Sequence, residues 1–264
     1  MSARNSEAAK AAARERRRAE REGQAKQHRA RRRAIVAGVV IATLALAGGV
    51  GFTIVKAGEP GVWEKAARAE LVRPKNTEGK NGTTVVIGKP EAKKTLELYE
   101  DSRCPACGAF EQAVGRQIKR DVDAGKFKLR YIGATFIDNG DKGEGSKNAL
   151  SALGAALNIG PDAFLSFKNA LYSAKNHPSE RDDRFAEDAY LLQIADEVPA
   201  LKGSAEFKSA VEHGTYDRWA LEMNKAFKRS GVKGTPMLKM DGKEIKPPST
   251  PEGFTEAIAK ALQR

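Results

Sequence analysis

Thr95-Leu96-Glu97-Leu98-Tyr99-Glu100-Asp101-Ser102-Arg103-Cys104-Pro105-Ala106-Cys107 is the stretch of this 264-residue chain on which its reading turns. Thr95 to Tyr99 alternates like a strand, with Leu96 and Leu98 on one face. Pro105 suits the first turn of a helix, where its missing N–H costs nothing. Beyond it Phe110, Val114, Ile118 and Val122 recur every four residues and mark one helix face. Cys104 and Cys107 are the only cysteines of the chain, and two cysteines placed at random fall three apart in under about 1% of arrangements. A thiol opening a helix and another one turn later can close a short disulfide. The first sulfur also meets the unpaired N–H groups and positive dipole end of the helix, which favour its nucleophilic thiolate form. Strand, Cys-x-x-Cys and helix together point to redox chemistry. Two blander readings stay open, an inert clip and half of a zinc site. Zinc needs further ligands, and His28, His177 and His213 stand far apart in sequence.

The net charge of +12 is unevenly spread, because residues 1–33 carry 12 Lys and Arg against 4 Glu. Ala34 to Val55 then runs 22 residues without a charge, enough at about 1.5 Å per residue to cross a hydrocarbon core about 30 Å thick. A single transmembrane helix is expected over 34–55. Arg31-Arg32-Arg33 abuts its start and only Lys56 follows closely, so the positive-inside rule leaves the N-terminus cytoplasmic and the rest of the chain outside. The competing reading is a cleaved signal peptide with Val55-Lys56-Ala57 as a loose cleavage site. The apolar run exceeds the usual apolar core of a signal peptide, which favours an uncleaved anchor. The basic tail has no interleaved aromatics and directly precedes the span, so it reads as a topology signal in contact with membrane lipid, not a nucleic-acid binder.

Residues 56–82 carry Gly58-Glu59-Pro60-Gly61, Pro74 and the polar Asn76 to Gly82, and read as a linker. From 83 to 264 a folded domain is expected. Thr83 to Ile87 is β-rich, and a central strand over 126–137, with Phe127, Leu129 and Tyr131 alternating, completes a βαβ unit around the cysteines. Residues of about 144–230 are helical, with apolar stripes at Leu150, Leu153 and Leu157; at Phe164, Phe167 and Leu171; at Leu191, Ile194, Ala195 and Val198; and at Trp219, Met223 and Phe227. No catalytic constellation is read in their polar neighbours. Gly231-Val232-Lys233-Gly234-Thr235-Pro236 then leads into a strand at Met237 to Met240, an Asp241-Gly242 turn and a partner strand at Lys243 to Ile245. A last helix starts at Thr250 and Pro251, with Phe254, Ile258, Ala261 and Leu262 on one face.

This order of elements, with Tyr99 to Cys107 at one end and Gly231 to Pro236 about 130 residues later, resembles the thioredoxin superfamily in its disulfide-bond oxidoreductase A (DsbA-like) branch. The resemblance covers about residues 83 to 264. It implies an α/β, thioredoxin-like fold with a helical insertion between the βαβ unit and a C-terminal ββα unit, here preceded by a single transmembrane helix. It also implies that Cys104 is the exposed nucleophile, Cys107 the buried resolving thiol, and Pro105 and Ala106 the active-site loop between them. Pro236 is then a cis proline lying against the disulfide, with the Thr235 backbone offered to an extended substrate peptide.

One position departs from the family pattern. Many members bury an acid six residues before the first cysteine; that position is Leu98 here, and neither Glu97, on the opposite strand face, nor Asp101, in the loop, is assigned as proton acceptor. Ala106 supplies no imidazole, so an oxidising but not extreme potential is expected. The resulting expectation is a membrane-tethered, extracytoplasmic thiol:disulfide oxidoreductase, acting as an oxidase on cysteine-containing exported proteins. A membrane redox partner reoxidises it, and it needs no cofactor, metal or nucleic acid. The alternatives are a reductase or isomerase for protein maturation, and a non-enzymatic metal-binding or interaction module.

Overall fold

Leu96 and Leu98, fully buried, and Val85, Leu129, Tyr131 and Leu238 with them, pull five short strands into one sheet. A computed structural model describes residues 60–263 of the chain. The strands are β1 (Val85–Ile87), β2 (Thr95–Asp101), β3 (Lys128–Ala134), β4 (Met237–Met240) and β5 (Lys243–Ile245), in spatial order β1-β3-β2-β4-β5. β2 and β3 run parallel, Leu98 opposite Tyr131, and the other pairings are antiparallel. The parallel pair needs a crossover, which helix α2 (Pro105–Asp123) supplies with Cys107, Phe110, Val114, Ile118 and Val122 on its buried side. Asp241 (φ 51°) and Gly242 (φ 75°) turn β4 into β5 with the two left-handed residues of a tight hairpin.

Before the sheet lies α1 (Val62–Arg68), and after β3 comes α3 (Ile137–Asp141). The helical insertion follows as α4 (Gly145–Ile159), α5 (Pro161–Leu171), a 3₁₀ turn (Arg184–Ala186), α6 (Asp188–Ala195), α7 (Ala205–Glu212) and α8 (Asp217–Arg229). Helix α4 is buried nearly all round, from Ala149 to Leu157, so it forms the axis against which α5, α7 and α8 pack. The final helix, α9 (Pro251–Leu262), is capped by Thr250, whose hydroxyl accepts the Gly253 N–H at 3.1 Å.

Three boundaries differ from the sequence reading. The strand expected over 126–137 ends at Ala134, because the Ile137 N–H turns to the Asp101 carboxylate at 3.2 Å and opens α3. The first strand starts at Val85, with Thr84 instead bridged back to Glu78. Residues 61–82, read as part of a linker, lie against the domain. The Trp219 indole donates to the Gly82 carbonyl at 2.6 Å, and the Asn76 amide donates to the Leu157 carbonyl at 3.0 Å. A buried indole N–H needs an acceptor, and this strap supplies one. Among the described residues no helix is long and apolar enough to cross a membrane. The basic tail of 1–33, the expected span at 34–55 and residues 56–59 lie outside the described residues.

Candidate active site

The last residue of β2 organises the loop that carries the first cysteine. The Asp101 carboxylate accepts hydrogen bonds from the Ser146 hydroxyl at 2.6 Å, the Arg103 N–H at 3.1 Å and the Ile137 N–H, while its carbonyl accepts the Cys104 N–H at 3.0 Å. Burial lifts its pKa to about 6, against those three bonds, which pull the other way. The next cation is buried as well. The Arg103 guanidinium pairs with Asp138 and Asp183 at 3.0 Å each and with Asp141, and donates to the Glu180 carbonyl at 2.7 Å. A charge buried this deeply is tolerated because anions from α3 and from the insertion surround it. The loop before Cys104 is thereby fastened to α3 and to the segment after α5.

Cys104 is the N-cap residue of α2, and its carbonyl accepts the Gly108 N–H at 3.0 Å. Pro105 and Ala106 are exposed at the turn, but Cys104, expected to be exposed, is itself buried at 7% exposure beneath Thr235 and Tyr172, and Cys107 is fully buried. Both are free thiols in this structure. The Thr235–Pro236 peptide is cis, and the Thr235 carbonyl lies 3.6 Å from the Cys104 sulfur. The half-buried Thr235, which precedes the half-buried Pro236, thus meets Cys104 across 131 residues of sequence.

The two sulfurs are made unequal. A hydrogen bond from the Cys107 thiol, with others from the N–H groups of Cys107 and Ala106, outweighs burial and brings the Cys104 thiol down to about 6. Burial, the Cys104 sulfur and the negative charge of Glu100 all push Cys107 the other way, well above an ordinary thiol. Cys104 is the sulfur poised as an anion, and Cys107 the one that holds its proton.

Behind Cys107 lies a group of charges that the sequence reading did not identify. Glu100, fully buried, accepts from the Lys168 ammonium at 2.9 Å, and Glu111 of α2 meets the same ammonium at 2.6 Å. Lys168 projects from α5 over the rings of Tyr172 and Tyr131, 5.5 and 6.0 Å from their centroids. Burial and the neighbouring Glu111 charge raise Glu100 well above the usual carboxylate range, although Lys168 opposes them. Burial lowers Lys168, but Glu100 and Glu111 outweigh it and hold the ammonium charged. Tyr172 and Ile137 close the apolar wall around both cysteines.

The acid near Cys107 is therefore two residues closer to the cysteines than the position occupied by Leu98, on the same strand face. Asp101, expected in the loop, instead ends β2 and is spent on backbone and hydroxyl bonds. His177, which sequence separation left isolated, also reaches this region. Among the described residues no group of three His, Cys, Asp or Glu side chains is gathered to hold a metal ion.

A family model described as Thioredoxin matches residues 80–260. The chain belongs to the thioredoxin family. Over 159 residues this thioredoxin-family chain is 24% identical to serine/threonine-protein kinase PknE of Mycobacterium tuberculosis, across 58% of the chain and 28% of the kinase. The match thus spans little more than a quarter of that relative. Disulfide bond formation protein D of Bacillus subtilis is 22% identical over 179 residues, across 67% of the chain and 77% of that protein. The crystal structure of oxidised DsbA from M. tuberculosis superposes with a TM-score of 0.57 at 24% identity, across 69% of this chain and 93% of that one. This last likeness is one of fold, a thioredoxin-like domain.

Proposed function

We propose that the protein is a membrane-tethered thiol:disulfide oxidoreductase that oxidises client proteins outside the bacterial cytoplasm. The observation that carries this reading is the inequality of the two sulfurs, with Cys104 near 6 beside an exposed turn and Cys107 buried and raised. The chemistry requires such a pair. A client thiolate attacks Cys104 of the Cys104–Cys107 disulfide, and Cys107 leaves and takes up a proton. A second client thiolate then attacks the client sulfur of the mixed disulfide and expels Cys104, a good leaving group because its thiolate is stable. Two electrons pass from the client to the enzyme, which ends as a dithiol while the client gains a disulfide.

Glu100 has a defined place in this cycle. Its charge bears on Cys107, and a carboxyl lifted by burial is better matched to a thiol than an ordinary one is. It gives the proton when Cys107 leaves and takes it back when the enzyme is reoxidised. Cys107 then attacks a Cys104 mixed disulfide, and the electrons go to a membrane redox partner. Thr235 offers its backbone to the extended client beside Cys104. Disulfides persist on the oxidising side of a membrane. The uncharged run of 34–55 behind Arg31-Arg32-Arg33 supports an anchor with a cytoplasmic, lipid-contacting tail.

The test is the full-length Cys107→Ser variant. Mass spectrometry on cells expressing it should find exported, cysteine-containing proteins joined to Cys104, and absence of adducts where the wild type supports disulfide formation would refute the order of attack. Equilibration with glutathione sets the direction: a potential between about −120 and −270 mV is expected, and one at or below the thioredoxin value of about −270 mV would make the protein a reductant.

A further inference from the structure

Ala106 leaves the active-site turn without an imidazole, yet one reaches the same loop from the insertion. His177, 69 positions beyond Gly108 in sequence, has its Nε2 3.1 Å from the carbonyl of Ser102, two residues before the nucleophile. An acceptor at Nε2 puts the ring proton on that nitrogen, so His177 donates there. Ser102 is 2% exposed, and a buried carbonyl needs a donor.

The ring is held on three sides. It stacks on Tyr172, with centroids 5.6 Å apart and planes 17° from parallel, and meets Phe185 edge-on at 6.0 Å. Its third side presses on the first turn of α2, where a Cβ at Gly108 would lie 3.0 Å from both Cε1 and Nδ1. Glycine at 108 is what lets the imidazole approach. Tyr172 in turn belongs to the wall around Cys104 and Cys107, with Lys168 over its ring. The cation of the loop, Arg103, is turned toward Asp138, Asp141 and Asp183. His177 is thus the donor that reaches the Ser102 carbonyl.

We propose that His177 is a positioning residue that sets the redox poise of Cys104, its Nε2–H holding the Ser102 carbonyl so that the negative end of this dipole is neutralised two residues before the nucleophile. The inference rests on the oxidoreductase reading and extends it to a residue outside the Cys-x-x-Cys motif. Without that bond the carbonyl, its peptide plane still held by the Arg103 N–H to Asp101, keeps an unpaired negative end two residues before Cys104, which disfavours a thiolate there. A less stable thiolate destabilises the reduced form and lowers the potential.

Two amides separate the bond from bulk and packing. In His177→Gln the side-chain N–H reaches about as far as Nε2, and in His177→Asn it falls short. With the full-length reduced protein, the pH profile of Cys104 alkylation should move up by about 0.5 unit in His177→Asn. The thiol-disulfide equilibrium with glutathione should shift about threefold, or about 15 mV toward reducing values. His177→Gln should keep both near wild type. The thermal midpoint of each variant shows that both remain folded. The proposal is overturned if both variants match wild type, if both shift equally, or if only His177→Gln shifts. Glutathione equilibration involves no client, so failure to oxidise clients would sink the oxidoreductase reading while leaving this measurement intact.

Discussion

Lys168→Met tests the charged group behind Cys107. Methionine keeps the apolar stem that packs beneath Tyr131 and Tyr172, so the change removes the ammonium and little volume. Glu100 and Glu111, both buried, lose the cation at 2.9 and 2.6 Å that each of them faces. Leaving buried carboxylates unpaired costs about 3–5 kcal/mol, and the native state limits the loss by keeping a proton. Holding one carboxyl neutral, against a reference value of about 4.3, spans about 3.7 pH units at pH 8, or about 5 kcal/mol, but only about 1 kcal/mol at pH 5. The sign follows from proton counting: the native state binds a proton that the unfolded chain has shed above about pH 4.3, so stability falls as pH rises. Urea unfolding of the reduced full-length protein in mild detergent, followed by circular dichroism at both pH values, should show a deficit several kcal/mol larger at pH 8. An equal deficit at pH 5 and pH 8, or one under about 1 kcal/mol at pH 8, would refute the buried triad as an ionic unit.

Glu100→Gln keeps an oxygen for Lys168 but cannot take a proton. It should slow resolution of a glutathione mixed disulfide at Cys104 at least about tenfold, read by acid quench and mass spectrometry, and an unchanged rate would remove Glu100 from proton transfer. The reduced form should also gain stability relative to the oxidised form as pH rises from about 6 to about 8.5. Cys104 is held near 6 in the folded state and titrates near 8.5 when unfolded, so its contribution is complete above 8.5 and lost as pH falls through 6. Above about 8.5 the Cys104 contribution is complete and the raised Cys107 thiol acts the other way, so the gain should turn into a loss. Paired chemical denaturation of the two redox forms measures this difference, which would be flat with pH if Cys104 were an ordinary thiol.

Local periodicity carried most of the fold. The four-residue recurrence of Phe110, Val114, Ile118 and Val122 is the buried side of α2, Asp241-Gly242 is the hairpin turn, and Thr250 caps α9. What escaped were charges on buried faces, where each looks local and unremarkable. Glu100 continues the Leu96 and Leu98 face of β2, Lys168 stands four residues after Phe164 on the apolar stripe of α5, and Glu111 stands four after Cys107 on α2. Each broke an apolar pattern at one position, and the three broken patterns meet at one ammonium. That juxtaposition depends on how α5 packs on α2, which spacing within either helix does not encode. His177 was hidden for the same reason, since its partners Ser102 and Gly108 belong to another part of the chain. The strap of 61–82 read as a linker because its hydrogen bonds run to Leu157, Asn158 and Trp219, none of which is near it in sequence.

The most direct test of the central claim is the pH dependence of iodoacetamide alkylation of the reduced wild-type protein, with the modified cysteine identified by peptide mass spectrometry. The two-sulfur asymmetry predicts labelling at Cys104 with a midpoint near 6 and little labelling at Cys107 across the neutral range. A Cys104 midpoint near the free-thiol value of about 8.5, or first labelling at Cys107, would contradict it.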